Sequence, residues 1–144
     1  MTFFVDANVL IYSAVDSEYR EACLEVLEAI ARGDLQGRTS TAVLEEVWYV
    51  EGSGRAGKLD GLAERAYTLL TPLLAVTDEA FRIALSLAAP NLGPNDRLHV
   101  GTCIAHDIDV VLTADQGFDG VRGIRRTDPL DSRARRRLLR PATG

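Results

Sequence analysis

Cysteine is scarce in this chain. Cys23 and Cys103 lie far apart, so they supply neither a disulfide framework nor the close spacing of a zinc knuckle, and free thiols suit a reducing compartment. No apolar run approaches the ~20 residues that a membrane-spanning helix requires. The opening residues Met1-Thr2-Phe3-Phe4-Val5 meet Asp6 at once, without the basic start and apolar stretch of a secretory signal. A cytoplasmic protein with no membrane attachment is therefore expected. Zinc-ligand spacing and a Ser–His–Asp arrangement are also missing, and there is no internal repeat or low-complexity segment.

What remains is ordinary in bulk and uneven in detail. A chain of 144 residues with 47% apolar and 26% charged content suits one compact domain. Its net charge of -5 conceals an asymmetry, because residues 1–121 hold 8 basic and 19 acidic side chains while 122–144 hold 8 basic and 2 acidic. An acidic body repels phosphate unless cations neutralise it, whereas an arginine-rich end attracts phosphate or an acidic protein. We expect a domain over 1–129 and an arginine-rich tail over 130–144.

Hydrophobic patterning alternates strands with helices. Phe3-Phe4-Val5 reads as a buried strand ending at Asp6, followed by a short helix through Val9, Leu10 and Ile11. A second helix is expected from Asp16 or Ser17, through Cys23, Val26, Leu27 and Ile30, to Gly33. Thr39-Ser40-Thr41 introduces a third through Val43, Leu44, Val47, Trp48 and Val50, broken by Gly52-Ser53-Gly54. Leu59 to Leu74 is helical in pattern, and another helix follows Thr77 to about Ala88. Pro90 and Pro94 bracket a loop before a helix over Asp96 to His106. Val110-Val111-Leu112-Thr113 reads as a second buried strand with Asp115 just beyond it, and Ile124 to Thr127 as a third. Strands separated by helices predict an α/β sandwich around a parallel sheet, with sites beyond the carboxyl ends of the strands.

Asp6 and Asp115 occupy equivalent positions after two such strands, so both should emerge at one sheet edge. Asp96 falls in the first turn of a helix and Glu46 one turn inside another. Singly, each acid is more often a turn former or helix cap. Together they suit a hard divalent ion, which prefers oxygen ligands and leaves room for water and phosphate. Such an ion promotes attack on phosphorus and stabilises the leaving oxygen. Without it, clustered carboxylates repel and at least one should have a raised pKa.

Four segments carry a resemblance to a known family: Phe4-Val5-Asp6-Ala7-Asn8-Val9-Leu10, Ser40-Thr41 ahead of Val43-Leu44-Glu45-Glu46-Val47, Asn95-Asp96, and Leu112-Thr113-Ala114-Asp115-Gln116-Gly117-Phe118-Asp119. In order and spacing the chain resembles the PIN domain over most of residues 3–128, and within it the VapC-type toxins of prokaryotic toxin–antitoxin pairs. The resemblance implies a three-layer α/β/α sandwich and a Mg²⁺- or Mn²⁺-dependent endoribonuclease, with RNA as substrate, a small antitoxin protein as partner and a homodimer as assembly. It assigns Asp6, Asp96 and Asp115 as metal ligands, and Glu46 as an acid that binds through water or helps activate the attacking water. Asn8 and Thr113 match positions that hold the carboxylates by hydrogen bonds, and Asp119 is either an outer acid or a surface turn residue. Arg97 departs from the pattern, since many relatives have a small residue after the third acid. The doublet leaves Glu45 and Glu46 both open as the second acid, with the family register favouring Glu46.

Other signals are weaker. Gly52-Ser53-Gly54-Arg55-Ala56-Gly57-Lys58 imitates a phosphate-binding loop, but Leu59 replaces the required hydroxyl and no strand precedes it. His99, one helical turn after Asp96, and His106, at the end of the same helix, are open to a proton-transfer role, with the structural reading favoured for both. Trp48, Tyr49 and Phe81 are expected in the core or at a dimer contact. Arg133, Arg135, Arg136, Arg137 and Arg140 form either a phosphate-binding tail or a solvated end. Two rival functions stand beside the nuclease: a PIN-like module that binds RNA or protein without cutting, and a phosphatase of the haloacid dehalogenase type with Asp6 as nucleophile. Asn8 stands where the latter's second Asp would be.

Overall fold

The computed structural model of the chain describes residues 1–139. Four strands, β1 (Thr2–Val5), β2 (Gln36–Arg38), β3 (Val110–Leu112) and β4 (Arg125–Thr127), form one sheet in the order β2-β1-β3-β4. All neighbours are parallel, with Phe3 opposite Gly37, Phe4 opposite Val111, and Val111 opposite Arg126. The central strand β1 buries Phe3, Phe4 and Val5 completely, as expected for a parallel strand covered on both faces. Helices α1 (Ala7–Tyr12), α2 (Arg20–Ala31), α3 (Thr41–Ser53), α4 (Leu62–Leu70), α5 (Asp78–Ser86), α6 (Pro94–Ala105) and α7 (Ser132–Leu138) flank the sheet, giving the expected three-layer α/β/α sandwich.

Local chemistry explains most boundaries. Ser40 caps α3 by accepting from Val43 N at 3.2 Å, and Gly54 ends it in the left-handed conformation at φ 69°. Thr77 caps α5 in the same way. Gly101 lets α6 press against α5, because a methyl there would collide with the Ala80 carbonyl. Among the described residues, no helix is long and apolar enough to cross a membrane. Cys23 and Cys103 are buried free thiols.

Several expectations need correction. Neither Asp16 nor Ser17 caps α2, which starts at Arg20 after an uncapped Tyr19. The Tyr19 ring stacks on Tyr12 with centroids 5.1 Å apart. The helix expected over Leu59 to Leu74 is confined to Leu62–Leu70, because Pro72 ends it and Leu74 instead bonds Thr39 and Thr41 across a parallel bridge. Strand β2 has no apolar run to announce it. Its Gly37 lies beneath the Ile30 and Val5 side chains, where a Cβ would not fit.

Trp48, Tyr49 and Phe81 are not core residues, being 68%, 68% and 54% exposed. At about 100° per residue the buried face of α3 centres on Val43 and Val47, and Trp48 projects well to one side of it. The described part of the arginine-rich tail forms α7, which buries Leu138 and pairs Arg135 with Glu25 at 3.3 Å. Arg140 lies outside the described residues.

Candidate active site

At the carboxyl edge of the sheet, Asp6 and Asp115 leave β1 and β3 side by side, and Asp96 and Glu46 enter from the flanking helices. All four acids, with Asn8, line one cleft of about 210 Å³ that also takes in Ala7, Ile11 and Tyr12.

Asp6 is the fixed point. Its backbone N–H donates to Leu112 O at 3.1 Å, extending the pairing of β1 and β3 by one residue. Its Oδ1 accepts from Ala7 N at 2.8 Å, so the carboxylate also caps α1. Its Oδ2 accepts from the Thr113 hydroxyl at 2.8 Å and from Asn8 Nδ2 at 3.2 Å. Asn8 also donates to Thr113 Oγ1 at 2.8 Å and accepts from Ala114 N at 3.1 Å. Thr113 Oγ1 accepts again from Asp115 N at 3.1 Å. One donor and two acceptor sites use the full capacity of a hydroxyl, and Asn8 and Thr113 thereby join the ends of β1 and β3. Asp115 accepts from Gly117 N at 2.8 Å, which shapes the turn after β3.

Asp96 sits in the first turn of α6, behind Gly93 and Pro94, where the helix dipole favours an acid. Arg97 points away from the cleft and donates to the carbonyls of Ala89 and Leu87, tying the end of α5 to α6. The doublet on α3 is divided by helix geometry. Glu46 faces the cleft, whereas the exposed Glu45 lines a separate groove with Trp48 and Tyr67.

Burial and repulsion from neighbouring carboxylates raise the proton affinity of Asp6 and Asp96. Burial holds the Asp6 carboxyl above the ordinary value, against the lowering effects of His99, Thr113 and the Ala7 amide. Burial, and then the Asp6 charge, push Asp96 up to about 6, with His99 opposing and Asp115 and Glu46 adding to the rise. These are carboxylates gathered against their own electrostatics, a donor set of hard oxygens that suits a divalent cation.

His99, one turn after Asp96 on α6, belongs to this site although its spacing alone reads as structural. Its Nε2 lies 3.1 Å from Glu46 Oε2 and 4.0 Å from Asp6 Oδ1. Asp6, Glu46 and His99 each bring one potential ligand atom within 4.8 Å of the others. His106 is apart from the cleft and bonds Ala75 O at 2.8 Å. Asp119 is held by Arg126, whose Nε and Nη2 reach its two oxygens at 2.7 and 3.3 Å. Arg126 also reaches Thr113 O and Asp128, each at 3.1 Å, a clamp that nothing in the sequence pattern marks out.

Among the solved structures that share this fold are three complexes bound to DNA. A chain of VapBC2 from Rickettsia felis, bound to a DNA fragment from their promoter, superposes with a TM-score of 0.68 at 17% identity, covering 89% of this chain and 98% of that one. A chain of FitAB bound to an IR36 DNA fragment gives 0.69 at 16%, covering 88% and 94%. A chain of DNA-bound VapBC from Salmonella typhimurium gives 0.66 at 20%, covering 90% and 98%. No curated protein matches the sequence. The family model described as PIN domain matches residues 3–124. With the sandwich, the parallel order and the acids at its carboxyl edge in place, the chain belongs to the PIN domain family.

Proposed function

We propose that this protein is a metal-dependent endoribonuclease of the VapC type, acting in the cytoplasm as the toxin of a type II toxin–antitoxin pair. The observation that carries the reading is the convergence of Asp6, Glu46, Asp96 and Asp115 on one small polar cleft. Residues 1–129 form the nuclease domain and the arginine-rich segment beyond it a tail. The solved relatives are VapBC and FitAB assemblies, which supports a small antitoxin protein as partner; a homodimer is the proposed assembly.

Asp6, Asp96 and Asp115 are the proposed ligands for Mg²⁺ or Mn²⁺. A bound divalent cation supplies Lewis acidity toward water and phosphate. Asp6 is held rigid by donors from α1 and from Thr113 just after β3, so its oxygens need no reorganisation on binding. Asn8 and Thr113 spread that rigidity to Asp115. Glu46, whose side chain is 34% exposed, is placed to accept the proton of an attacking water. The leaving ribose oxygen departs on the opposite side of phosphorus.

End-labelled RNA incubated with purified protein tests the reading. Cleavage with Mg²⁺ or Mn²⁺, lost on chelation and lost in D6N and D96N variants that remain folded, is the expected result. Full cleavage by either variant would remove the mechanism. Metal binding without cleavage in the wild type would favour a binding module instead.

A further inference from the structure

We propose that His99 positions Glu46, donating its Nε2–H to Glu46 Oε2, and does not itself ligate the cation. The inference rests on the nuclease reading for its consequence, but its geometry stands apart from it.

The imidazole is 1% exposed, packed against the Phe4 ring at 5.8 Å between centroids. Among the described residues, the 3.1 Å contact from Nε2 is the one hydrogen bond of the Glu46 carboxylate, while Nδ1 has no partner. Nδ1 is unpaired in either tautomer, so the contact at Nε2 distinguishes them. A proton on Nδ1 alone would aim the Nε2 lone pair at a carboxylate oxygen, which is repulsive. A proton on Nε2 is donated to that oxygen, so Nε2 carries it whether the ring is neutral or charged.

The unpaired Nδ1 speaks against ligation. A histidine bound to metal through Nε2 carries its proton on Nδ1 and normally gives it to a carboxylate, carbonyl or water. Here no protein acceptor for such a proton exists among the described residues. Proximity to Asp6 and Glu46 therefore marks His99 as a support for the site.

The support has a purpose, because a glutamate on a helix face has several rotamers and loses entropy when held in one. His99 bridges α6 to α3 and fixes Oε2, leaving Oε1 for the proton of the attacking water. Among the described residues Glu45 has no such restraint, which gives a physical reason for the division of labour within the doublet.

The chain contains two histidines, so imidazole 15N–1H correlation spectra can be assigned with an H106Q variant. Nε2 of His99 should carry the proton in metal-free and in Mg²⁺-loaded protein, and E46A should move its resonance. Loss of that proton on Mg²⁺ loading would make His99 a ligand and overturn the proposal, as would a resonance unmoved by E46A. In single-turnover cleavage, H99L should lose 10–100-fold in rate with little change in RNA affinity. H99Q, which keeps an N–H at similar reach, should restore most of that loss. Equal rates for H99L and wild type would also overturn it. A wild type that cuts no RNA sinks the nuclease reading alone, because the spectra are recorded without substrate.

Discussion

The hydroxyl of Thr113 donates to Asp6 Oδ2 at 2.8 Å, across 107 positions of sequence. Since Thr113 Oγ1 also accepts from Asn8 and from the Asp115 amide, a side chain without a hydroxyl there leaves a buried donor unpaired. T113V should destabilise the protein by about 1–3 kcal/mol and lower metal-dependent cleavage by 10–100-fold. T113S should retain most of both. Denaturant melts and initial cleavage rates on the two variants check the expectation.

Asp96 is disfavoured as an anion, so its replacement should relieve the metal-free protein. D96N is expected to melt at or above the wild-type temperature at neutral pH without divalent ion. It should lose most of the increase in Tm that Mn²⁺ produces in the wild type. Thermal melts with and without Mn²⁺ read both effects. A D96N variant with an undiminished Mn²⁺ increment would show that Asp96 is no ligand.

The shift of Asp96 to about 6 from 3.8 fixes the sign of a pH effect. Between these values the folded chain keeps a proton that the unfolded chain releases, so this group's contribution to stability is greatest below 3.8 and declines as pH rises to about 6. Asp6, also raised, acts in the same direction. Cation binding requires the ionised form and should strengthen over the same rise, with proton release. Titration calorimetry with Mn²⁺ in buffers of differing ionisation heat should show protons released at about pH 5–6 and few above 7. A proton count that does not vary with pH would contradict the shifts.

Arg126 joins three groups through one guanidinium, and its side chain is only 12% exposed. R126M should therefore cost about 1–3 kcal/mol, by orphaning the Thr113 carbonyl and two carboxylates. D119N, which alters an exposed partner, should cost less than about 1 kcal/mol. Chemical denaturation of both variants tests the ranking.

Much of this architecture was legible because burial leaves a mark on residue choice. The apolar runs at Phe3–Val5 and Val110–Leu112 had to be strands covered on both faces, and the acids directly after them had to share an edge. Ser40 and Thr77 announced helices by cap chemistry. The rest depended on tertiary contact. Gly37 became strand because it fits beneath Ile30, and Trp48 became surface because Val43 and Val47 already define the inward face. His99 was visible as a residue one turn from Asp96, but its bond to Glu46 joins positions 53 residues apart. No local pattern encodes that pairing, nor the clamp of Arg126 on Asp119 and Asp128.

Asp6 continues a strand that has partners on both sides, β2 and β3, and its own N–H is bonded to Leu112. Such a carboxylate has no hinge, and local fraying cannot displace it. Heat should therefore abolish cation binding only when the whole sheet melts, so that an inactivation curve and a far-UV circular dichroism curve share one midpoint.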